Sequence, residues 1–128
     1  MVEVTIYHNP GCGKSRGAVE ILRERGVTCD VIEYLQHPLD RATFERFLEL
    51  LGGAPGALVR KDKRFKELGL DESAYVTRDQ VVTLLVQHPE LMERPVVIRG
   101  QRAVIARPSE RVLELFQPQP LTGSLLPT

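Results

Sequence analysis

The sequence predicts a small α/β protein in which a βαβ unit is followed by a helical block and then by a ββα unit. Three observations support this prediction: short β-rich runs near both ends of the chain, helical spacing of apolar residues between them, and turn residues at the junctions. The chain has 128 residues, of which 42% are hydrophobic and 27% charged, and this fits one domain with one core.

The first unit begins with a β-rich run at residues 2–7, and the turn signal Asn-Pro-Gly follows it at residues 9–11. Residues 13–25 have helical spacing, and Gly26 ends that helix. Residues 27–35 are again apolar and rich in β-branched side chains, so they predict a second strand. Strand, helix and strand in such a short span form a βαβ unit, whose two strands are parallel.

The middle of the chain predicts helices. Apolar residues recur there at i, i+3, i+4 and i+7, as expected for one face of a helix: Phe44, Phe47, Leu48 and Leu51. Further along, Thr77 and Gln80 have the spacing of a capping box, which starts a helix that Pro89 ends. We therefore expect an inserted helical segment at about residues 53–92.

The last unit consists of two short predicted strands, at residues 95–98 and 102–105, which flank a glycine-containing turn. Ser109 can cap a final helix after this hairpin. The apolar residues predicted to face inward from that helix are Val112, Leu113 and Phe116.

A βαβ unit followed by a ββα unit is the thioredoxin arrangement. The sequence thus predicts a single thioredoxin-like domain over residues 1–117, enlarged by the helical segment in its middle. Residues 118–128 are rich in proline and poor in charge, and we expect them to form a mobile tail.

Composition and charge exclude several classes of protein. Seventeen basic residues balance seventeen acidic ones, which argues against a protein that binds nucleic acid or a membrane over its whole surface but leaves a local basic patch open. We therefore expect neither a nucleic-acid nor a membrane partner. The apolar runs are too short for a membrane span, and the first residues lack the features of a signal peptide. Two cysteines do not make a disulfide scaffold or a metal site. The sequence therefore predicts a cytoplasmic protein with reduced thiols and no metal.

The loop after the first strand is the most informative segment, because Cys12 lies there between two glycines at the start of the first helix. Backbone N–H groups and the positive end of the helix favour the thiolate at this position. Lys14 and Arg16 add positive charge, and His8 can add more. Residues 4–19 contain no carboxylate. Since the same donors can hold an anion, the segment predicts a nucleophilic thiolate facing an oxyanion.

Other interpretations of this loop fit less well. A buried structural cysteine is the common alternative, and it suits Cys29 at the start of an apolar strand better than it suits Cys12 between glycines. The loop lacks the first glycine of a P-loop, and Ala18 stands where a tyrosine-phosphatase loop needs arginine. Cys12 and Ser15 form a C-x-x-S motif, so a resolving thiol must come from elsewhere.

Four further landmarks accompany the Cys12 loop in a fixed order. The loop itself reads His-Asn-Pro-x-Cys-x-x-Ser-Arg at residues 8–16. The later segments are Ala-Leu-Val-Arg-Lys at 57–61, Gln-His-Pro at 87–89, Arg-Pro-Val-Val at 94–97 and Arg-Pro-Ser-Glu at 107–110. Together these segments resemble the glutaredoxin-coupled arsenate reductases, and the similarity extends over nearly the whole chain.

The resemblance implies roles for particular residues. Cys12 would be the nucleophile, and His8 and Ser15 would tune its thiolate through electrostatics and hydrogen bonding. Three arginines would surround the oxyanion, which their planar forks match in geometry: Arg60, Arg94 and Arg107. By analogy with thioredoxin-like folds, Pro95 would follow a cis peptide bond and lie against the Cys12 loop.

The resemblance also implies a reaction and its partners. The Cys12 thiolate would form a covalent adduct with arsenate, and glutathione and glutaredoxin would reduce the adduct to arsenite, as in arsenic detoxification. Glutathione would be a co-substrate, with no bound cofactor. Two alternatives stay open. Lys14 departs from the Thr or Ser of well-studied arsenate enzymes, which allows a glutathione-dependent thiol oxidoreductase with another substrate. A Spx-like non-enzymatic redox regulator would typically carry C-x-x-C, and Ser15 counts against it.

Overall fold

The computed structural model describes residues 2–118, which form a four-stranded sheet covered by helices on both faces. The strands are β1 (Val4–His8), β2 (Cys29–Glu33), β3 (Val96–Arg99) and β4 (Arg102–Ile105). The α-helices are α1 (Gly13–Glu24), α2 (Arg41–Leu51), α3 (Lys63–Glu67) and α4 (Arg78–Gln87). Four 3₁₀ helices complete the described elements: Pro55–Leu58, Glu72–Ala74, Pro89–Leu91 and Ser109–Phe116, the last of which is called the final helix below.

The sheet has the strand order β2-β1-β3-β4. Strands β1 and β2 are parallel, with Ile6 opposite Val31 and His8 opposite Glu33, because α1 carries the chain back between them. Strand β3 pairs antiparallel with both β1 and β4. This topology confirms the predicted thioredoxin-like α/β fold.

The pleat of β1 divides the protein into two layers. Successive side chains of a strand point to opposite faces, so Val4 and Ile6 pack beneath α1 and the final helix. Tyr7 faces the other way and packs with the larger core under α2 and α4. His8 lies on the same face of β1 as Ile6, and this orients its ring toward the first turn of α1.

The capping box predicted at the start of α4 is present. The Thr77 hydroxyl accepts the N–H of Gln80 at 3.2 Å, and the Gln80 side chain accepts the N–H of Thr77 at 2.9 Å. Gly26 follows α1 with φ of 72°, a conformation that glycine adopts without strain. The capping box and the helix-ending glycine depend only on residues close together in the chain, and the structure confirms both predictions.

The prediction for the final helix was wrong in its type, and of the three residues predicted to face inward only Val112 is fully buried. The segment is a 3₁₀ helix, which has three residues per turn, so its buried positions recur every third residue. Ser109, Val112 and Leu115 are buried, whereas Leu113 and Phe116 are only partly so. The Ser109 side chain does not cap this helix.

Two other boundaries differ from the prediction or lie outside the structure. Strand β2 is shorter than residues 27–35, because the N–H of Val27 bonds to the carbonyl of Leu22 in the turn after α1. Of the predicted tail at 118–128, all but Pro118 lies outside the described residues.

In the described part of the chain, no helix combines the length and apolar character that a membrane crossing requires.

Candidate active site

Cys12 is the residue that precedes α1. Its backbone is extended, with φ of −105° and ψ of 123°, and the first turn of the helix contains no acidic residue. The loop that leads to it is tight, since the N–H of Cys12 bonds to the carbonyl of Asn9 at 3.0 Å and the N–H of Gly11 bonds to the Asn9 side chain at 2.9 Å. The half-buried sulfur therefore lies at the positive end of α1.

The surroundings of the sulfur favour its ionised form. Burial of the sulfur acts to raise the pKa of Cys12, but hydrogen-bond donors outweigh it and lower the pKa from 9.0 to about 7. The donors, in decreasing order of effect, are the Ser15 N–H, the Arg107 side chain, the Lys14 N–H and the Arg94 side chain. A thiol with this pKa is roughly half ionised at neutral pH, and the thiolate is the nucleophilic form.

Two of the three predicted arginines reach the sulfur from the open end of the β3–β4 hairpin. Arg107 Nη1 lies 3.5 Å from Cys12 Sγ and donates to the carbonyl of Arg94 at 3.0 Å. Both arginines precede a cis proline, Pro95 and Pro108 respectively, and the first of these cis bonds is the one that the resemblance implies. The hairpin thus places two guanidinium groups beside Cys12.

Arg60 is held differently. Its Nε lies 3.5 Å from the Asp62 carboxylate and 3.6 Å from that of Glu93, so two acidic groups face its charge. Its backbone N–H donates to the carbonyl of Leu91 at 2.7 Å, which fixes the segment alongside the chain that leads to β3. Within residues 2–118 no hydrogen bond joins Arg60 to Cys12, although the charge of Arg60, like those of Arg94 and Cys12, acts on the Tyr34 hydroxyl. The predicted contact of Arg60 with the oxyanion stays a prediction.

His8 and Ser15 form a buried pair behind the loop. The Ser15 hydroxyl lies 2.6 Å from His8 Nδ1 and accepts the N–H of Asn9 at 3.0 Å. Burial is the main cause that lowers the pKa of His8 below its usual 6.5. The ring is therefore mostly neutral at pH 7, and it does not supply the positive charge that the sequence suggested. The Ser15 hydroxyl holds the loop in place through His8 and Asn9, while the Ser15 N–H donates to the Cys12 sulfur.

The contact of Ser109 with α1 at Lys14 and Gly17 was not anticipated from the sequence, which suggested Ser109 only as a helix cap. The Ser109 hydroxyl donates to the carbonyl of Lys14 at 2.7 Å, which ties the final helix to the first turn of α1. A methyl group on Gly17 would lie 2.6 Å from that hydroxyl oxygen. The signal in the sequence was the glycine itself, because glycine inside a helix is unfavourable unless a neighbour approaches closely.

An open cleft of about 400 Å³ leads to the sulfur, and its lining includes Cys12, Lys14, Arg107 and Ser109. The exposed carboxylate of Glu110 lies at its rim. A larger groove, about 690 Å³, lies between α1 and β2 and does not include the sulfur. Among the described residues, no group of three or more His, Cys, Asp or Glu side chains is arranged to hold a metal ion.

Cys29 lies far from this cleft. The register places it opposite Val4, at the start of β1, whereas Cys12 follows His8, at the end of β1. The two ends of this strand are about 13 Å apart, and a disulfide requires Cα atoms within about 7 Å. The two cysteines of one molecule therefore do not form a disulfide without unfolding the sheet.

Two polar atoms near the sulfur have no hydrogen-bond partner within residues 2–118. They are the hydroxyl oxygen of Tyr34 and Nε of Arg94, and both are buried. Tyr34 was not singled out from the sequence. The only available signal was its position directly after β2, at the edge of the sheet where the Cys12 loop also lies.

The fold and this loop define a class: thioredoxin-like proteins whose first helix begins at a single cysteine without a second cysteine in the motif. Comparison with known proteins narrows the class to one family. The model of the ArsC family matches residues 7–115. The chain belongs to the ArsC family.

Relatives agree with this assignment over most of their length. The chain is 41% identical over 115 residues to the uncharacterised protein YfgD of Escherichia coli K12, covering 88% of this chain and 96% of that one. It is 39% identical over 114 residues to an arsenate reductase of Neisseria meningitidis, covering 88% and 97%. The solved structure of an arsenate reductase from Vibrio cholerae superposes with a TM-score of 0.79 at 35% identity, covering 88% and 96%.

Proposed function

We propose that this protein is a cytoplasmic arsenate reductase in which the Cys12 thiolate attacks arsenate, with glutathione and glutaredoxin as partners. The observation that carries the proposal is the lowered pKa of Cys12, about 7, beside the guanidinium groups of Arg94 and Arg107. A thiolate beside fixed positive charge suits attack on a tetrahedral oxyanion. Relatives at about 40% identity bear the name arsenate reductase.

In the first step, the Cys12 sulfur bonds to arsenic and displaces one oxygen of arsenate, which leaves as water once it carries two protons. Arsenic stays pentavalent in this adduct. The guanidinium groups of Arg94 and Arg107 stabilise the negative charge on the remaining oxygens, and removal of one such donor typically lowers turnover by about 10²- to 10³-fold. The Lys14 side chain lines the same cleft and adds a further positive charge at its mouth.

In the second step, a glutathione thiolate attacks the Cys12 sulfur. The sulfur–arsenic bond breaks, its electron pair passes to arsenic, and arsenic leaves in the trivalent state as arsenite. Cys12 is now in a mixed disulfide with glutathione. Glutaredoxin removes the glutathionyl group by thiol–disulfide exchange and restores the Cys12 thiolate. The distance from Cys29 supports an external reductant, because this protein has no second thiol within reach of Cys12.

The proposal is tested by arsenic speciation in a mixture of the protein, arsenate, glutathione and glutaredoxin. We expect repeated turnover to arsenite only when all four are present, and at most one arsenite per protein molecule when glutaredoxin is left out. Without glutaredoxin, Cys12 should accumulate as its glutathione mixed disulfide, which peptide mass spectrometry locates. If the complete mixture yields no arsenite, arsenate is not the substrate. If arsenite forms without glutaredoxin while Cys12 stays unmodified, the mechanism is wrong.

One observation favours a second candidate, a glutathione-dependent thiol oxidoreductase with another substrate. Arg60 faces the carboxylates of Asp62 and Glu93, which leaves two arginines rather than three at the sulfur. Two would suffice for a small thiol-bearing substrate. This candidate predicts turnover of a glutathione mixed disulfide and no arsenate-dependent product, so the same assay with both substrates separates the two functions.

A further inference from the structure

Tyr34 occupies the edge of the sheet at which the Cys12 loop begins. It directly follows Glu33, the last residue of β2, and Glu33 pairs with His8, the last residue of β1. Tyr34 therefore stands beside Asn9, where the loop leaves the sheet. Its side chain is fully buried and its ring packs in the core under α2 and α4.

The hydroxyl at the end of that ring has no hydrogen-bond partner among residues 2–118. The side chain of Asn9 approaches it without meeting hydrogen-bond geometry, and Asn9 Oδ1 already accepts the N–H of Gly11. Unpaired buried hydroxyls are rare in proteins because burial removes their bonds to water. Phenylalanine would fill the same space without this disadvantage, so core packing alone does not explain a tyrosine here.

The Tyr34 hydroxyl is within electrostatic range of the Cys12 sulfur. The charges that act on it are those of Arg94, Cys12 and Arg60. Burial, the largest effect, raises the pKa of Tyr34 to about 12. The hydroxyl thus keeps its proton at neutral pH and is available as a donor.

A second unpaired donor lies in the same region. Nε of Arg94 is buried and has no hydrogen-bond partner among residues 2–118, and the side chain of Arg94 is one of the groups that lower the pKa of Cys12. Two free donors beside a thiolate require an acceptor with several lone pairs, and an oxygen of a tetrahedral oxyanion meets that requirement. We propose that the Tyr34 hydroxyl donates a hydrogen bond to an arsenic-borne oxygen of the oxyanion that is held against Cys12.

This inference rests on the proposed function, and it adds a substrate-binding residue that is neither cationic nor part of the Cys12 loop. The oxyanion would then receive hydrogen bonds from two directions. The Tyr34 hydroxyl would donate from the end of β2, and Arg107 would donate from the β3–β4 hairpin. It acts on the anion and not on the sulfur. Removal of the hydroxyl should therefore weaken anion binding and leave the ionisation of Cys12 unchanged.

The test compares Tyr34→Phe with Tyr7→Phe. Tyr7 lies in the same core, but its hydroxyl faces the charges of Asp30 and Arg46. We expect Tyr34→Phe to lower kcat/KM for arsenate by about 10- to 100-fold, the range for a lost hydrogen bond to a charged group. Tyr7→Phe should stay within about twofold of the parent protein.

A second measurement reports binding without turnover. Iodoacetamide alkylates the Cys12 thiolate, and bound arsenate should protect it. In Tyr34→Phe the arsenate concentration that halves the alkylation rate should rise about tenfold or more, while the rate without arsenate at pH 7 stays unchanged. The thermal midpoint should stay the same or rise, because an unpaired buried hydroxyl has been removed.

The outcomes distinguish failure of the role of Tyr34 from failure of the proposed function. If the parent protein reduces arsenate and Tyr34→Phe matches it in turnover and protection, the role of Tyr34 is wrong and the proposed function stands. A lower thermal midpoint, or slower alkylation without arsenate, would assign the hydroxyl a structural role and also overturn the inference. If the parent protein neither reduces nor binds arsenate, the proposed function fails and the role of Tyr34 fails with it.

Discussion

The two cysteines lie at opposite ends of the parallel pair β1–β2, and their environments differ in one respect that decides their chemistry. Both sulfurs are partly buried. Cys12 is surrounded by donors, which stabilise the thiolate, and its pKa falls to about 7. Cys29 lies 3.6 Å from the carbonyl oxygen of Val27, an acceptor that stabilises the protonated thiol, and burial raises its pKa.

This contrast teaches that exposure alone does not make a cysteine reactive. The N-terminus of α1 supplies backbone N–H groups to Cys12, whereas a residue at the start of a strand has its own N–H groups engaged in the sheet. The βαβ unit therefore makes one reactive and one inert thiol from the same residue type.

Replacement of each cysteine by serine should have the most different effects on arsenate reduction. Cys12→Ser should lower arsenate reduction by at least about a thousandfold, the scale seen when a nucleophile is removed. Cys29→Ser should stay within about twofold. The measurement is steady-state turnover, with circular dichroism to verify the fold. Equal losses in both variants would refute the contrast between the two thiols.

The polar network behind Cys12 should matter more for stability than a hydroxyl near Cys29. Ser15→Ala leaves His8 Nδ1 and the N–H of Asn9 unpaired in a buried site, and we expect a loss of about 1–3 kcal/mol. Thr28→Val, next to Cys29 and exposed, should change stability by less than about 0.5 kcal/mol. Urea unfolding of both variants measures the difference. An unchanged midpoint for Ser15→Ala would contradict the role of the network.

The two thiols should also differ in their pH profiles. The rate of alkylation of Cys12 should rise with pH, reach half of its maximum near pH 7, and level off about two pH units higher, where the thiolate is fully formed. The rate for Cys29 should still be rising at pH 9, since its pKa is raised. At pH 7 we expect about a tenfold difference in rate, because the lower nucleophilicity of the more acidic thiolate offsets part of its larger population. Mass spectrometry of iodoacetamide-treated peptides gives both rates.

The guanidinium of Arg107 should account for part of the contrast. Arg107→Met keeps the length of the side chain and removes the donor 3.5 Å from Cys12 Sγ. We expect the pKa of Cys12 to rise and alkylation at pH 7 to slow by about fivefold. Arg111→Met is the matched control, because exposed Arg111 pairs with Glu114 at 3.1 Å and not with Cys12. Equal rates in both variants would mean that the backbone donors and Arg94 lower the pKa of Cys12 without Arg107.

The sequence predicted the parts of the site that are local in the chain. The cysteine at the start of a helix, the absence of acidic neighbours and the capping box at Thr77 all depend on residues a few positions apart. The order of strands and helices was likewise readable from periodicity and turn residues. The final helix was misassigned because Val112 and Phe116 suited an α-helical face, whereas the chain adopts three residues per turn.

What the sequence could not show depends on the meeting of distant segments. His8 loses its charge because the pleat of β1 turns it inward onto Ser15. Arg60 differs from Arg107 because two carboxylates face it, and one of these, Glu93, comes from a distant segment. The unpaired hydroxyl of Tyr34 has no signature in the sequence, since an unpaired group is defined by everything that packs around it.

Gly17 leaves room for nothing larger than a hydrogen atom. An alanine there would place a methyl carbon 2.6 Å from the Ser109 oxygen, which would have to give up the carbonyl of Lys14 or move the final helix outward. Either displacement loosens the turn that presents N–H groups to Cys12. A change at either Gly17 or Ser109 therefore alters how closely the final helix packs on α1, and through that packing it affects the reactive cysteine.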